Sequence, residues 1–167
     1  PPYAGEPDLA ELFASMPASL CQQDVQVTVI TPFYQGIDPS RHGLARRLIR
    51  IPVQAGGDTI EVGLIDGKFQ AADVSLLMVD HPESFDRPGL YGEGDAAYED
   101  NARRHYIFCT AAAGIIKELD LQPALVHAAG WQCGFSPAPL RADCPLAPTI
   151  HAHHAAGPLP PAQPQPP

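Results

Sequence analysis

The apolar residues Leu9, Leu12, Phe13, Met16 and Leu20 recur at steps of three and four, a spacing that predicts one face of a helix over residues 9–20. Asp8 is its expected N-cap, Glu11 completes a capping box, and Pro17 is expected to kink the last turn or end it early. Residues 25–30 are dense in β-branched side chains and stop at Pro32, which predicts a buried strand. Two further strands, over 48–53 and 59–65, are separated by Gly56-Gly57-Asp58 and read as a hairpin or an excursion at a sheet edge. Another buried strand follows over 74–79. The longest helical pattern runs over 97–119, with Tyr98, Ala102, His105, Phe108, Ala112 and Ile116 near one side, and a short strand over 124–128 closes the series. Strands alternating with helices imply an α/β fold with a doubly wound, mostly parallel sheet, because crossovers between parallel strands lay their helices on its faces.

At 167 residues the chain is long enough for one core, and 45% hydrophobic against 17% charged residues marks it as globular. Nineteen acidic against ten basic residues give a net charge of -9, which disfavours nucleic acid as a partner. No run approaches a membrane span and no signal-peptide pattern is present, so a soluble, cytoplasmic protein is expected. Cys21, Cys109, Cys133 and Cys144 form no C-x-x-C pair, and reduced thiols are the expectation. The chain opens on Pro1-Pro2 without methionine, which suggests sequence upstream. Eight of the last 23 residues are proline, and residues 158–167 read as a disordered, polyproline-like tail after a domain over 1–157.

Three collinear segments carry a resemblance. PPYAGEPDLAELFASMPASL resembles the A-P-[FY]-A-K-T-G-G-L-A-D-V opening, with its helix ending A-L-P-x-A-L, of the bacterial and plant glycogen/starch synthases that use ADP-glucose. HPESFDRPGLYGEGDAAYEDNARRHYIF resembles that family's N-P-x-x-F-D-R-x-x-L-Y-G followed by Y-x-D-N-x-x-R-F, and QPALVHAAGWQCGFSP resembles P-D-V-V-H-x-H-D-W-H-x-G-x-x-P. The second segment is the most specific. The resemblance implies one Rossmann-like half of a two-domain retaining glucosyltransferase, with ADP-glucose as donor, an α-1,4-glucan as acceptor and no further cofactor. It also implies that the family's opening strand lies before Pro1, and that the C-terminal half, which supplies most nucleotide contacts, is missing here.

The departures fall where the chemistry belongs. In the Lys-Thr-Gly-Gly loop, Gly5 holds the lysine position, Glu6 the threonine, and Pro7 and Asp8 the glycines. The cation for phosphate is gone, and proline removes a backbone donor where phosphate would approach. A lost charge-assisted hydrogen bond costs roughly 1.5–3 kcal/mol. In H-x-H-D-W-H, His127 and Trp131 remain, while Ala129, Gly130 and Gln132 replace the second histidine, the aspartate and the last histidine. PTIHAHHAAG resembles the family's P-T-V-F-T-I-H-N strand and puts its sugar-contacting histidine at His154, the one weak catalytic candidate. An inactive chain, or a non-catalytic glycan- or partner-binding module, is expected.

Each candidate has a plainer reading. Tyr91 lines an acceptor-sugar surface or folds onto the core. Asp100, Asn101 and Arg104 contact ligand or form a cap and a solvated face. His127 and Trp131, at a strand's C-terminal end, bind substrate or are a satisfied histidine and a packed indole. His151, His153 and His154 match no zinc framework and read as incidental clustering, so no metal is expected. Glu6, Asp8 and Glu11 suit the positive end of a helix better than acid/base work.

Overall fold

The computed structural model describes residues 15–69, 73–143 and 148–152. Residues 15–21 are helical (α1), and the helix continues past Pro17. A proline removes one donor but leaves the bonds beyond it intact; Gln22 N still donates to Ala18 O at 3.2 Å. Asp8 and Glu11, the expected cap, lie outside the described residues.

A four-stranded sheet in the order β1-β4-β3-β2 is built from β1 (Thr28–Pro32), β2 (Ala45–Ala55), β3 (Asp58–Lys68) and β4 (Ser75–Asp80). The short helix α2 (Pro39–His42) links β1 to β2, with the Asp38 carboxylate accepting from Ser40 N–H. β1 and β4 run parallel, in a register that pairs Thr28 with Ser75 and Pro32 with Val79. β2 and β3 form the expected antiparallel hairpin, and β3 continues antiparallel on β4. The hairpin turn needs two residues at positive φ, which Gly56 (66°) and Gly57 (90°) supply. Pro52 sits in β2, the sheet's edge, where its missing N–H breaks no ladder. A second parallel pair, β7 (Val126–Ala129) with β8 (Thr149–Ala152), completes the α/β architecture. Among the described residues parallel pairing is confined to these two places, and the hairpin makes the larger sheet mixed.

The core follows from strand alternation. On β4, Leu77 and Val79 face one side with Ile51, Val53, Val62 and Leu64, while Leu76 and Met78 face the other with Ile65. Burial on both faces explains the uninterrupted apolar run Leu76–Val79. The long helix α4 (Asn101–Glu118) covers the first face through Ile107, Phe108, Ala111 and Ile115. Ala113 and Ile116 of α4 form another cluster with Leu140 of α5 (Pro137–Asp143), against which both Ile30 of β1 and Val126 of β7 pack. β1 and β7 thus share a helix, yet no ladder joins them among the described residues. Between β4 and α4 lie the short helix α3 (Pro82–Phe85) and a two-residue hairpin, β5 (Gly92–Glu93) with β6 (Ala96–Ala97).

Several boundaries depart from expectation. β1 begins three residues later than the β-branched run, and Val25 is exposed, because Asp24 turns the chain at φ 60° and pairing with β4 starts at Thr28. The sides of α4 differ too: Ala102 is exposed and Arg104 is buried at 1% exposure.

Candidate functional site

Ligands of open α/β folds bind beyond the carboxyl ends of the strands, and here those ends converge. Tyr34 follows β1, Phe85 follows β4 and Trp131 follows β7 in a 3-10 turn (Trp131–Cys133). Their rings form a continuous chain: Tyr34 meets Phe85 edge-on at 5.8 Å, Phe85 lies 6.5 Å from the His105 ring, and His105 meets Trp131 edge-on at 4.9 Å. Tyr91 closes the group, 5.2 Å from Trp131 and 5.9 Å from His105. A neighbouring cavity of about 290 Å³ opens between Tyr34, Ile37, Arg46, Asp80 and Asp86. The Asp80 carboxylate, at the end of β4, is buried there and paired with Arg46.

The Asp86–Tyr91 loop is held by the first turn of α4. Arg87 makes a two-pronged pair with Asp100, Nη1 to Oδ1 at 2.8 Å and Nη2 to Oδ2 at 2.6 Å, and also donates to Glu83 O. This guanidinium holds the Asp100 carboxyl below the usual carboxylate range. Asn101 Nδ2 donates to Tyr91 O at 2.8 Å, and Arg104 Nη1 donates to Leu90 O at 2.7 Å. The Arg104 guanidinium lies 5.2 Å from the Phe85 ring centre and 5.3 Å from that of Tyr98. Asp100, Asn101 and Arg104 therefore position the loop rather than form a cap and a solvated face: Asp100 makes no side-chain cap bond, and Arg104 is enclosed.

Gln132, at the position of the motif's last histidine, is buried and donates through Nε2 to the Tyr91 hydroxyl. Burial pushes His105 down to about 4, with the Arg104 charge adding to the shift, so the ring is neutral at pH 7. Both His105 ring nitrogens, Arg104 Nε and Nη2, and Gln132 Oε1 make no hydrogen bond within the described residues. Buried polar atoms of this kind suit hydroxyl-bearing partners. His81 is also buried, its Nδ1 2.8 Å from Ser84 Oγ, and desolvation lowers its proton affinity.

Gly130, at the motif's aspartate position, has φ 80° and ψ 168°, a region open in practice to glycine alone. Gly130→Asp is expected to lower stability by about 1–3 kcal/mol, read as a shift in the urea midpoint; an unshifted midpoint would mean that the turn relaxes freely.

Of the expected site residues, Tyr91, Asp100, Asn101, Gly130, Trp131 and Gln132 come together. His127 does not: strand alternation turns it away from Val126 and Ala128, and it is exposed, which corrects its reading as a satisfied structural histidine. Gly5 to Asp8, His153, His154 and the 158–167 tail lie outside the described residues, as does the His151 side chain. Among the described residues no group of three or more His, Cys, Asp or Glu side chains could hold a metal, and no helix is long and apolar enough to cross a membrane. Sequence reasoning missed Tyr34, Arg46, Asp80 and His105. Asp80 alone left a signal, an acid ending a buried strand.

The family model for the starch synthase catalytic domain matches residues 1–165. Glycogen synthase 2 of Geobacter sulfurreducens is 32% identical over 142 residues, covering 85% of this chain and 29% of that protein. Glycogen synthase of Aeromonas salmonicida is 32% identical over 148 residues, covering 87% of this chain and 28% of that protein. The chain thus spans less than a third of the length of these relatives. The catalytic domain of starch synthase IV from Arabidopsis thaliana, bound to ADP and acarbose, has the same fold, with a TM-score of 0.76 at 24% identity over 92% of this chain and 31% of that one. The motifs, the fold and the family match agree, and the chain belongs to the starch synthase catalytic-domain family.

Proposed function

We propose that this chain is a glycogen/starch-synthase-type half-domain that does not transfer glucose from ADP-glucose to an α-1,4-glucan by itself. The observation that carries this reading is Gly130, which stands where the motif has its acid and adopts a backbone geometry that a side chain resists. Glycine neither accepts a proton nor orients a sugar hydroxyl. Gln132, in place of a histidine, is turned inward to Tyr91, and Gly5 replaces the cation that would meet the diphosphate. Transfer then depends on a second Rossmann-like half, from adjoining sequence or another polypeptide. The purified chain incubated with labelled ADP-glucose and glycogen is expected to incorporate no label above background; incorporation would overturn the reading.

A second reading, a glycan- or partner-binding module, is supported by the half-buried Tyr91 and Trp131 rings beside the orphaned polar atoms of Arg104, His105 and Gln132. Flat aromatic faces with polar tips suit sugar rings. On this reading Tyr91 contacts the glucan, Asp100 and Asn101 set its loop, and the exposed His127 and, from the motif, His154 are peripheral contacts. Glycogen co-sedimentation is expected to weaken roughly tenfold in Tyr91→Ala, the worth of one aromatic contact. Unchanged retention would remove Tyr91 from the surface.

A further inference from the structure

We propose that the cavity of about 290 Å³ at the ends of β1 and β4, beside the start of β2, is a binding site for a neutral sugar of one or two rings, separate from the Tyr91–Trp131 surface. Its volume stands at the lower end of small-molecule pockets, roughly 300–1,000 Å³. Phe33 and Ile37, which line it, belong to the cluster of Ile65, Leu76 and Met78 on one face of the sheet. The opposite face is covered by α4, whose first turn holds the Tyr91 loop. The inference therefore depends neither on the transferase reading nor on Tyr91.

A register shift in β2 builds the polar wall. Arg46 pairs with Ile65 and Arg50 with Gly63, so the step from 46 to 50 on β2 spans only the step from 65 to 63 on β3. Gly63 in turn pairs with Asp80. Cross-strand partners share a face, so Arg46, Arg50 and Asp80 lie on the same side of the sheet as the cavity. Gly63 keeps the space between them clear: a Cβ there would lie 2.7 Å from Arg50 Nη1 and 3.1 Å from Asp80 Oδ2. Arg46 Nη1 closes on that same Asp80 oxygen. The Asp80 side chain is 6% exposed and fixed by this pair, while that of Arg46 is 60% exposed and presents its other N–H groups to whatever enters. Asp86 stands exposed at the rim.

Two guanidinium groups against two carboxylates leave no surplus charge, which favours a neutral ligand over an anion or a cation. A sugar hydroxyl both donates and accepts, so carboxylate oxygens take its proton side and guanidinium N–H groups its lone pairs. Hydrogen bonds with one charged partner are the stronger kind. Phe33 and Ile37 supply an apolar wall for the C–H face of the ring.

Isothermal titration calorimetry of the folded chain tests the site, with maltose as the probe and inorganic phosphate and methylammonium as charged controls. Maltose is expected to bind, and neither ion is. Ile37→Trp fills the cavity from a half-buried position and leaves both arginines and Asp80 in place; it is expected to weaken maltose binding roughly tenfold or more. Asp80→Asn keeps the shape and unbalances the charge, so it is expected to exchange maltose binding for phosphate binding, an outcome that loosened packing does not produce. Where circular dichroism shows Asp80→Asn unfolded, Ile37→Trp decides. Tyr91→Ala is expected to leave maltose binding unchanged, which keeps this site distinct from the surface proposed above. Glycogen co-sedimentation of Ile37→Trp identifies the source of the sugar: a fall assigns the pocket to glucan chain ends, and constant retention assigns it to a free sugar. The proposal is overturned by an absence of heat from maltose at millimolar concentration, by phosphate binding the native chain more tightly than maltose, or by maltose binding that survives Ile37→Trp or is abolished by Tyr91→Ala.

Discussion

Arg104→Ala is expected to destabilise the protein by about 3 kcal/mol or more, measured as a fall in the urea midpoint at constant slope. The side chain is among the largest fully buried ones in the protein, and its removal leaves a void against Phe85 and Tyr98. It also strips Leu90 O of its donor and loosens the loop that presents Tyr91. An opposing term exists: Nε and Nη2 are buried without hydrogen bonds, so the native protein already bears a desolvation cost that truncation relieves. Arg104→Met separates the two. It keeps most of the packing and removes the charge, so its loss is expected to be about 1 kcal/mol. An alanine variant within that same range would show that the guanidinium contributes neither packing nor anchorage, and that the loop is held by the Arg87–Asp100 pair alone.

The contrast between these variants bears on what the chain discloses before it folds. Elements set by local pattern were legible: the apolar run of β4, the glycine turn of the hairpin and the body of α4, although that helix begins at Asn101 and not at residue 97, where Ala97 ends β6. The FDRPGLYG and Tyr98-Asp100-Asn101-Arg104 motifs were legible as a pair, but their relation was not. Spacing alone cannot tell that Arg87 reaches forward to Asp100 while Asn101 and Arg104 reach back to the carbonyls of Tyr91 and Leu90. Polar residues on a helix read as solvated until tertiary contacts enclose them, which is why Arg104 was placed at the surface and His105 was given no site role. Val25 failed for the opposite reason. Its β propensity is real, but the parallel partner begins at Ser75 and the ladder at Thr28. The meeting of α4 with the 131–133 turn, through Cys109 Sγ and Gln132 O, was illegible in principle, since nothing in sequence separation discloses it.

The enclosure of His105 also fixes how stability responds to acid. Its folded value of about 4 lies below the ordinary 6.5, chiefly because burial disfavours the imidazolium and secondly because Arg104 is positive; Asp100 opposes weakly. The unfolded chain therefore binds more protons than the folded one between these values, so stability is full above pH 6.5 and falls as the pH drops toward 4. From pH 6.5 to 5, before most carboxylates titrate, the loss from this group is about 2 kcal/mol, at 1.36 kcal/mol per pH unit. His81, also lowered by burial, adds a loss of the same sign. His105→Phe keeps a ring against Tyr91 and Trp131, so unfolding measured at both pH values is expected to show a markedly smaller pH-dependent loss, the remainder belonging to His81. Arg104→Met is expected to flatten the dependence part of the way, since it deletes the second cause of the shift and leaves the first. A profile identical in all three proteins would place the acid sensitivity elsewhere and the His105 ring in contact with water.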